Sequence, residues 1–307
     1  MNGIQRFAGI NVTASRLQFV EVEKESNQLF IANLGQTFIS PPIIFEEQKE
    51  TMLAAQLQTA FDEIKIRNPI ISTFASFTLP PELFITIQLP YDINLLQGEI
   101  VEEFRWELSQ LFPFISAEEL AIKFYELEKN FLSGNNNALV VALNKKYLLV
   151  FKNFCTRNNL TPKLVDNASI TANGFINNYY KFEKDSVTVN IYNSRNSTTL
   201  FLNISSKPAY VKVLQKTGID IIHSIAKELS EEALKRIASK PIKYAFISGE
   251  DIGAELLSEI HLATSLDFIK FNPFDIIKFK PELQITGISS DQYSTFTSAT
   301  GIASRFN

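Results

Sequence analysis

The sequence predicts an α/β protein made of two duplicated lobes, with a small α/β subdomain inserted in the first. Three observations predict it. Residues 10–22, INVTASRLQFVEV, read as an apolar strand, a polar turn and an alternating second strand. A weaker echo of that hairpin lies at residues 187–202, with Asn190 in the place that Asn11 holds in the first. After Pro80-Pro81 the pattern changes to strand, helix, strand, strand, helix over about residues 83–160. The expected boundaries are 1–82 for the first part of the first lobe, 83–164 for the insert, 165–182 for a return helix and 183–307 for the second lobe.

Taken in order, residues 29–34 supply a third strand before the Ser40-Pro41-Pro42 break. Residues 50–66 place Met52, Leu53, Leu57, Ala60, Phe61 and Ile64 on one helical face, and Asn68-Pro69 ends the run. A strand follows at 70–79. The insert opens with a strand at 83–89, then a helix at 96–111 carrying Ile100, Phe104, Leu108 and Leu111, closed by Pro113. Ser116 to Glu119 has the spacing of a capping box. Strands at 121–127 and 138–143 flank a loop at 133–137, and Asn144 is placed to cap a helix bearing Tyr147, Leu148, Phe151 and Phe154. A strand at 160–165 leads to Asp166-Asn167, a cap for a helix to about residue 182. The second half repeats hairpin and strand, then predicts helices at 217–229 and 230–238. A buried strand at 242–247, a helix at 251–262, a short strand at 268–271 and a closing helix at 295–306 complete it.

The 307 residues suffice for one large core or two moderate ones, and 45% hydrophobic with 20% charged residues is globular rather than disordered. A net charge of −4 argues against general affinity for nucleic acid or anionic lipid. Cys155 is the only cysteine, which excludes an internal disulfide and multi-cysteine metal sites, and its apolar surroundings read as a buried structural thiol. With only His223 and His261, a histidine-rich metal centre is not expected. No apolar run reaches the ~20 residues of a membrane-spanning helix, and the N-terminus lacks a signal peptide's apolar segment, so a cytoplasmic protein is expected. Gly is scarce at 11 against 26 Phe, leaving few places where backbone can close on a phosphate.

Several segments carry a resemblance to a known family. GINVTASRLQFVEVE (9–23) resembles the family hairpin GIDIGSSSIKAVEL. Residues 100–127 look like the helix, "PF" step and strand of its inserted subdomain, and 138–175 follow its strand, helix, strand and VD step. ISGEDIGAELLSEI (247–260) is similar to its SGG segment, FNPF (271–274) to its ANPF, and ATGIASRF (299–306) to its closing A-x-G-x-A-x-R helix. In this order they resemble the PilM family of type IV pilus assembly proteins, which stands with the cell-division protein FtsA in the actin-like ATPase superfamily. The resemblance implies a duplicated two-lobed actin-like (ribonuclease H-like) fold. In its nucleotide-hydrolysing members the hairpin turns grip phosphate, and each hairpin carries an aspartate for magnesium.

The departures bear on activity. Asn11 stands where the family has its first aspartate, Thr13 where it has glycine and Gln18 where it has lysine. Asn190 and Tyr192 replace the Asp and Gly of the second hairpin, whose turn reads about two residues longer. Glu250 replaces the second glycine of SGG, and the stretch from 220 to 242 is much shorter than the family's, implying a shortened upper subdomain. Losing a carboxylate removes both charge and ligand from a magnesium site, and asparagine adds an NH2 donor that cannot face a cation. Thr13 puts a β-branched side chain where phosphate would touch bare backbone, so a turn holding it is either strained or of another shape. ATP and magnesium are therefore disfavoured, no metal is expected, and no catalytic residue is assigned.

The degenerate cleft positions are Asn11, Thr13, Ser15, Asn190, Ser194, Ser248 and Gly249; the two asparagines also read as polar residues satisfying hairpin backbone, and the turns at 13–15 and 194–197 as solvated turns. Asp166 either lines the cleft or caps a helix, Asp251 reads as an N-cap, and Trp106 reads as half-buried packing or as a partner anchor. By resemblance the partner is a short cytoplasmic tail of an inner-membrane pilus or secretion protein. It would lie in a groove among helix 98–112, strand 121–127 and the first lobe, with Phe104, Leu108 and Phe124 as contacts. Self-association is a further partner class; nucleic acid and direct membrane insertion are not expected. The competing reading keeps a nucleotide-binding ATPase or small-molecule kinase with divergent phosphate loops.

Overall fold

The computed structural model describes residues 5–26, 28–129, 136–180, 182–216, 220–230, 232, 234, 237, 240–285 and 287–305. The expected loop at 133–137, the short helix at 230–238 and the start of the helix expected at 217 lie wholly or largely outside them. The chain forms two compact units. One comprises Met1–Leu83, Lys146–Tyr179 and Phe271–Asn307, the other Phe84–Lys145 and Tyr180–Lys270.

The first unit is built on a five-stranded sheet in the order β3-β2-β1-β4-β8. β1 (Gln5–Val12), β2 (Arg16–Glu25) and β3 (Gln28–Phe38) form an antiparallel meander, and β4 (Phe74–Leu79) and β8 (Thr161–Asn167) run parallel to β1. Alternation along the strands gives the sheet two apolar faces. On one, α1 (Glu50–Arg67) and α3 (Lys145–Arg157) bring Phe61, Phe151 and Phe154 onto Phe19 and Phe77, with ring centroids 4.6–6.4 Å apart. On the other lies α7 (Thr297–Ala303), every residue of it buried, packed beside α4 (Ala168–Tyr179). Gly9 of β1 makes that approach work, since a Cβ there would sit 2.0 Å from the Ala299 carbonyl oxygen.

The second unit repeats the sheet. β9 (Val187–Asn193), β10 (Ser197–Ile204) and β11 (Lys207–Gln215) form the meander, and β12 (Ile242–Gly249) and β13 (Ile269–Lys270) run parallel to β9, in the order β11-β10-β9-β12-β13. Strand for strand this matches the first sheet, which is the duplication the hairpins predicted. α5 (Ile221–Glu228), capped by Asp220 through the amides of Ile222 and His223, contributes Ile225 to its core. α6 (Ala254–Thr264) contributes Ile260.

The insert's own sheet is three-stranded, β5-β7-β6: β5 (Phe84–Pro90), β7 (Asn137–Asn144) and β6 (Leu120–Glu126), all antiparallel. α2 (Gln97–Leu111) covers one face with Ile100, Phe104 and Leu108. The insert joins the second sheet's edge through Glu128 N to Pro208 O at 2.7 Å and Gln88 Nε2 to Val211 O at 3.0 Å. The compact units cut across the expected boundaries. α3 and β8, expected in the insert, lie in the first unit because β8 completes its sheet, and residues 271–307, expected in the second lobe, lie there because α7 packs on β1.

Candidate functional site

The first hairpin holds Asn11, Thr13 and Ser15, the second Asn190 and Ser194, and the end of β12 Ser248 and Gly249; each hairpin is closed by a two-residue turn. In the first, Thr13 N donates to Arg16 O at 2.9 Å around Ala14-Ser15. None of Thr13, Ala14 and Ser15 has a positive φ, so this turn does not need glycine. Of the two expected outcomes for Thr13, the structure has the turn of another shape, without strain. The outward carbonyls are also taken: Ile39 N donates to Ser15 O at 2.8 Å and Ile43 N to Ala14 O at 2.6 Å.

Asn11 is buried at the end of β1, and both ends of its amide are used. Thr78 Oγ1 donates to Asn11 Oδ1 at 2.9 Å, and Asn11 Nδ2 donates to Gln18 Oε1 at 3.0 Å. Gln18 Nε2 donates in turn to Thr295 Oγ1 at 2.6 Å, which donates to Gln292 O at 2.8 Å. Each group in this row donates to the next, so the interior polar atoms are satisfied without any charge. Asn11 and Gln18 are direct cross-strand partners. The neutral amide pair thus occupies the two places where the family resemblance puts aspartate and lysine. A carboxylate restored at 11 would set two acceptors, its own oxygen and Gln18 Oε1, against each other in a buried site.

In the second hairpin Ser194 N donates to Ser197 O at 2.9 Å around Arg195-Asn196, so the turn has the length of the first and is not longer, as the sequence suggested. Counting from the closing pair, Tyr192, not Asn190, is the register equivalent of Asn11. Asn190 is one pleat deeper, buried where β9 meets Phe201 of β10 and Phe246 of β12. Ser194 and Ser197 hydroxyls lie 3.1 Å apart, and Lys216 Nζ donates to Ser194 O at 2.5 Å. Asn193 ties this turn to the end of β12: its Nδ2 donates to Glu250 O at 2.7 Å, its Oδ1 accepts from Thr198 at 2.9 Å, and its carbonyl accepts from Glu250 N at 2.7 Å. Ser248 is buried and opposite Tyr192 in the ladder. Gly249 has φ +108°, and a Cβ there would lie 2.1 Å from Asn193 O, so its bare backbone serves strand packing.

Other expectations change with the coordinates. Phe104 and Leu108 are each only 1% exposed, packed under α2 against the insert's sheet, and Phe124 is half-buried with its ring edge-on to Phe104 at 5.4 Å. Phe104 and Leu108 are core residues and do not present to a partner. Trp106, read as half-buried or as an anchor, is 62% exposed. Asp166 pairs with Arg305 and is not the helix cap, which is Asn167, whose Oδ1 accepts from Ser169 N at 2.9 Å. Asp251 has φ +53° and is not the N-cap of α6, which is Gly253. Ser116 makes no side-chain cap bond to the short 3-10 turn after it. Cys155 is fully buried, and burial pushes its thiol up to about 12.

One cluster escaped the sequence reading. Glu21 and Glu23 on β2 are both fully buried. Arg6 reaches Glu23 at 2.6 Å and Glu21 at 3.4 Å, Lys280 pairs with Glu23 and Glu25, and Glu21 accepts the amides of Ile71 and Ser72. The V-E-V-E-K-E alternation looks like a solvated strand face; Lys280, 257 residues downstream of Glu23, covers it. Among the described residues, no group of three or more His, Cys, Asp or Glu is placed to hold a metal ion.

No model of a known family matches the sequence, and no characterised protein matches it by sequence. The fold does have solved relatives. The chain is similar to one in the PilM–PilN type IV pilus biogenesis complex, with TM-score 0.72 and 19% identity over 97% of each chain. It is also similar to a Bacteroides thetaiotaomicron protein of unknown function with an actin-like ATPase fold (TM-score 0.55, 10% identity, 86% of this chain and 90% of that one). A third is the ethanolamine utilization protein EutJ from Carboxydothermus hydrogenoformans (TM-score 0.51, 8% identity, 97% and 89%). The chain therefore has an actin-like fold. Within that class it is similar, over 97% of its length, to a chain of the PilM–PilN complex.

Proposed function

We propose that this chain is a non-hydrolysing actin-like scaffold of a type IV pilus-like or type II secretion-like machine, holding a short cytoplasmic segment of an inner-membrane partner. The observation that carries the reading is the likeness, over 97% of both chains, to a structure described as a PilM–PilN complex. Inertness is supported by the first hairpin, where a neutral row of Thr78, Asn11, Gln18 and Thr295 fills the place of a metal carboxylate and its lysine. Magnesium requires hard anionic oxygens, and an amide row that is already satisfied offers none. Among the described residues no helix is long and apolar enough to cross a membrane, which supports attachment through a partner. On this reading the protein is cytoplasmic and peripheral to the inner membrane.

The test is co-purification with the cytoplasmic tails of any single-span membrane proteins encoded near it. Stoichiometric capture that persists without nucleotide is expected. Capture that requires ATP, or its absence with every neighbouring tail, would overturn the reading.

A further inference from the structure

Residues 278–280 lie along the edge of the first unit's sheet like a minimal added strand. Ile31 of β3 and Phe279 form a parallel bridge: Ile31 N donates to Lys278 O at 2.9 Å, and Lys280 N donates to Ile31 O at 3.0 Å. An extended peptide that adds to a sheet edge makes bonds of this kind. Two side chains fix the position. The Phe279 ring packs on Phe274 at 4.6 Å and on Tyr293 at 5.8 Å, and Lys280 pairs with the buried Glu23 and with Glu25. Around these contacts the segment is open to solvent, with Lys278, Pro281, Glu282 and Gln284 exposed. Apart from the bridge, the described residues between the short 3-10 turns at Pro273–Asp275 and Ser290–Phe296 form no helix or strand. Irregular connections of about that length are uncommon in compact units and are often functional.

We infer that residues 278–282 are a releasable strap standing in for a partner's strand: it closes the β3 edge with Lys280 as its catch, and the partner that displaces it is an extended peptide segment with an aromatic residue followed by lysine. A bare edge strand offers unpaired N–H and C=O groups to other chains, and covering it with a segment of the same chain is one way a protein blocks that. The partner's chemistry is set by what the strap fills. Without Lys280, the pairs recorded among the described residues leave Glu21, Glu23 and Glu25 balanced by Arg6 alone, so the opened edge selects a cation there. The aromatic residue takes the place of Phe279 against Phe274 and Tyr293. Release strands no buried charge, because lifting the strap admits water to Glu23 while Arg6 stays on it at 2.6 Å. This device is independent of the scaffold reading above.

Two measurements test it, the first on the unaltered protein. Residue-resolved hydrogen exchange should show the amides of Ile31 and Lys280 exchanging together, about a hundredfold or more faster than the β2 amides paired to β1, as local opening requires. Exchange of the Ile31 and Lys280 amides in step with those of β2 would overturn the inference, since the strap would then leave only when the unit unfolds. The second uses a fluorescent peptide with the strap's own sequence, DIIKFKPEL (275–283), against the same peptide with glutamate for both lysines. Lys280→Ala removes the catch and keeps Glu23 paired with Arg6. Saturable binding of the lysine peptide to Lys280→Ala is expected, about tenfold or more weaker in the wild type, where the tethered strap competes at high effective concentration. The glutamate peptide should bind neither protein. No binding to Lys280→Ala, equal binding to the wild type, or equal binding of the glutamate peptide would each overturn the inference.

Discussion

Gly9→Ala is expected to cost about 3 kcal/mol or more, a large share of the ~5–15 kcal/mol that stabilises a typical domain. The added methyl would stand 2.0 Å from the Ala299 carbonyl oxygen and 2.8 Å from the Ala303 Cβ, far inside contact distance. Helix α7 has no room to retreat. All seven of its residues are buried, Ser298 Oγ donates to Ala168 O at 3.2 Å, and Arg305 just beyond it is held by Asp166. Close-packed interiors transmit such a clash instead of absorbing it. A fall in melting temperature of about 10 °C follows from the usual few degrees per kcal/mol. Gly98→Ala is the control, since nothing lies within 4 Å of its Cβ position. Equal melting of Gly9→Ala and wild type would contradict the packing of α7 on β1.

Substitutions of the two buried glutamates on β2 are expected to act in opposite directions. Burial pushes the Glu23 carboxyl up, but Lys280 and Arg6 outweigh it and hold the group below its ordinary 4.5. For Glu21 burial wins over the amides of Ser72 and Ile71 and over Arg6, and the group is raised above 4.5. The signs follow from linkage. Glu23 contributes stability that is present above 4.5 and lost as pH falls through its lowered value. Glu21 is charged at a disadvantage near neutrality, and that disadvantage disappears as pH falls through its raised value toward 4.5. Glu23→Gln should therefore cost about 3 kcal/mol at neutral pH, because it leaves Lys280 and Arg6 short of a buried partner. Glu21→Gln should be neutral or slightly stabilising there, since an amide oxygen still accepts from Ile71 and Ser72. Urea midpoints measured from neutral to acid pH separate the two: Glu23→Gln loses the steep acid fall, and Glu21→Gln loses the shallow rise before it. Equal losses in both variants would contradict the assignment.

The parts of this molecule legible in the sequence are those whose signals are local. Alternation and turn residues placed both hairpins, and the 3.6-residue stripe of Ile100, Phe104 and Leu108 placed α2. The same stripe misassigned Phe104 and Leu108, because periodicity says which face is apolar and not what covers it. Asn190 takes the place of Asn11 by resemblance to the family's second hairpin, whereas the register is set by the closing pair of the turn, which puts Tyr192 there. Helix α7 is the most buried helix of the first unit yet carries mostly Thr, Ser, Ala and Gly, so hydrophobicity gives it little weight. The Glu21 and Glu23 cluster was hidden because Lys280 arrives from the far end of the chain. Of the candidate cleft residues, the loss of charge at Asn11 was readable; its incorporation into a satisfied row with Thr78, Gln18 and Thr295 required coordinates.

Titration calorimetry of the intact protein with ATP and magnesium, with phosphate release followed in parallel, bears most directly on the claim that an inherited phosphate-binding hairpin has become a neutral structural element. The expected result is no saturable heat, no rise in melting temperature at excess nucleotide and no phosphate released. Saturable magnesium-dependent binding with turnover would contradict it, and would return the chain to the working ATPases of its fold.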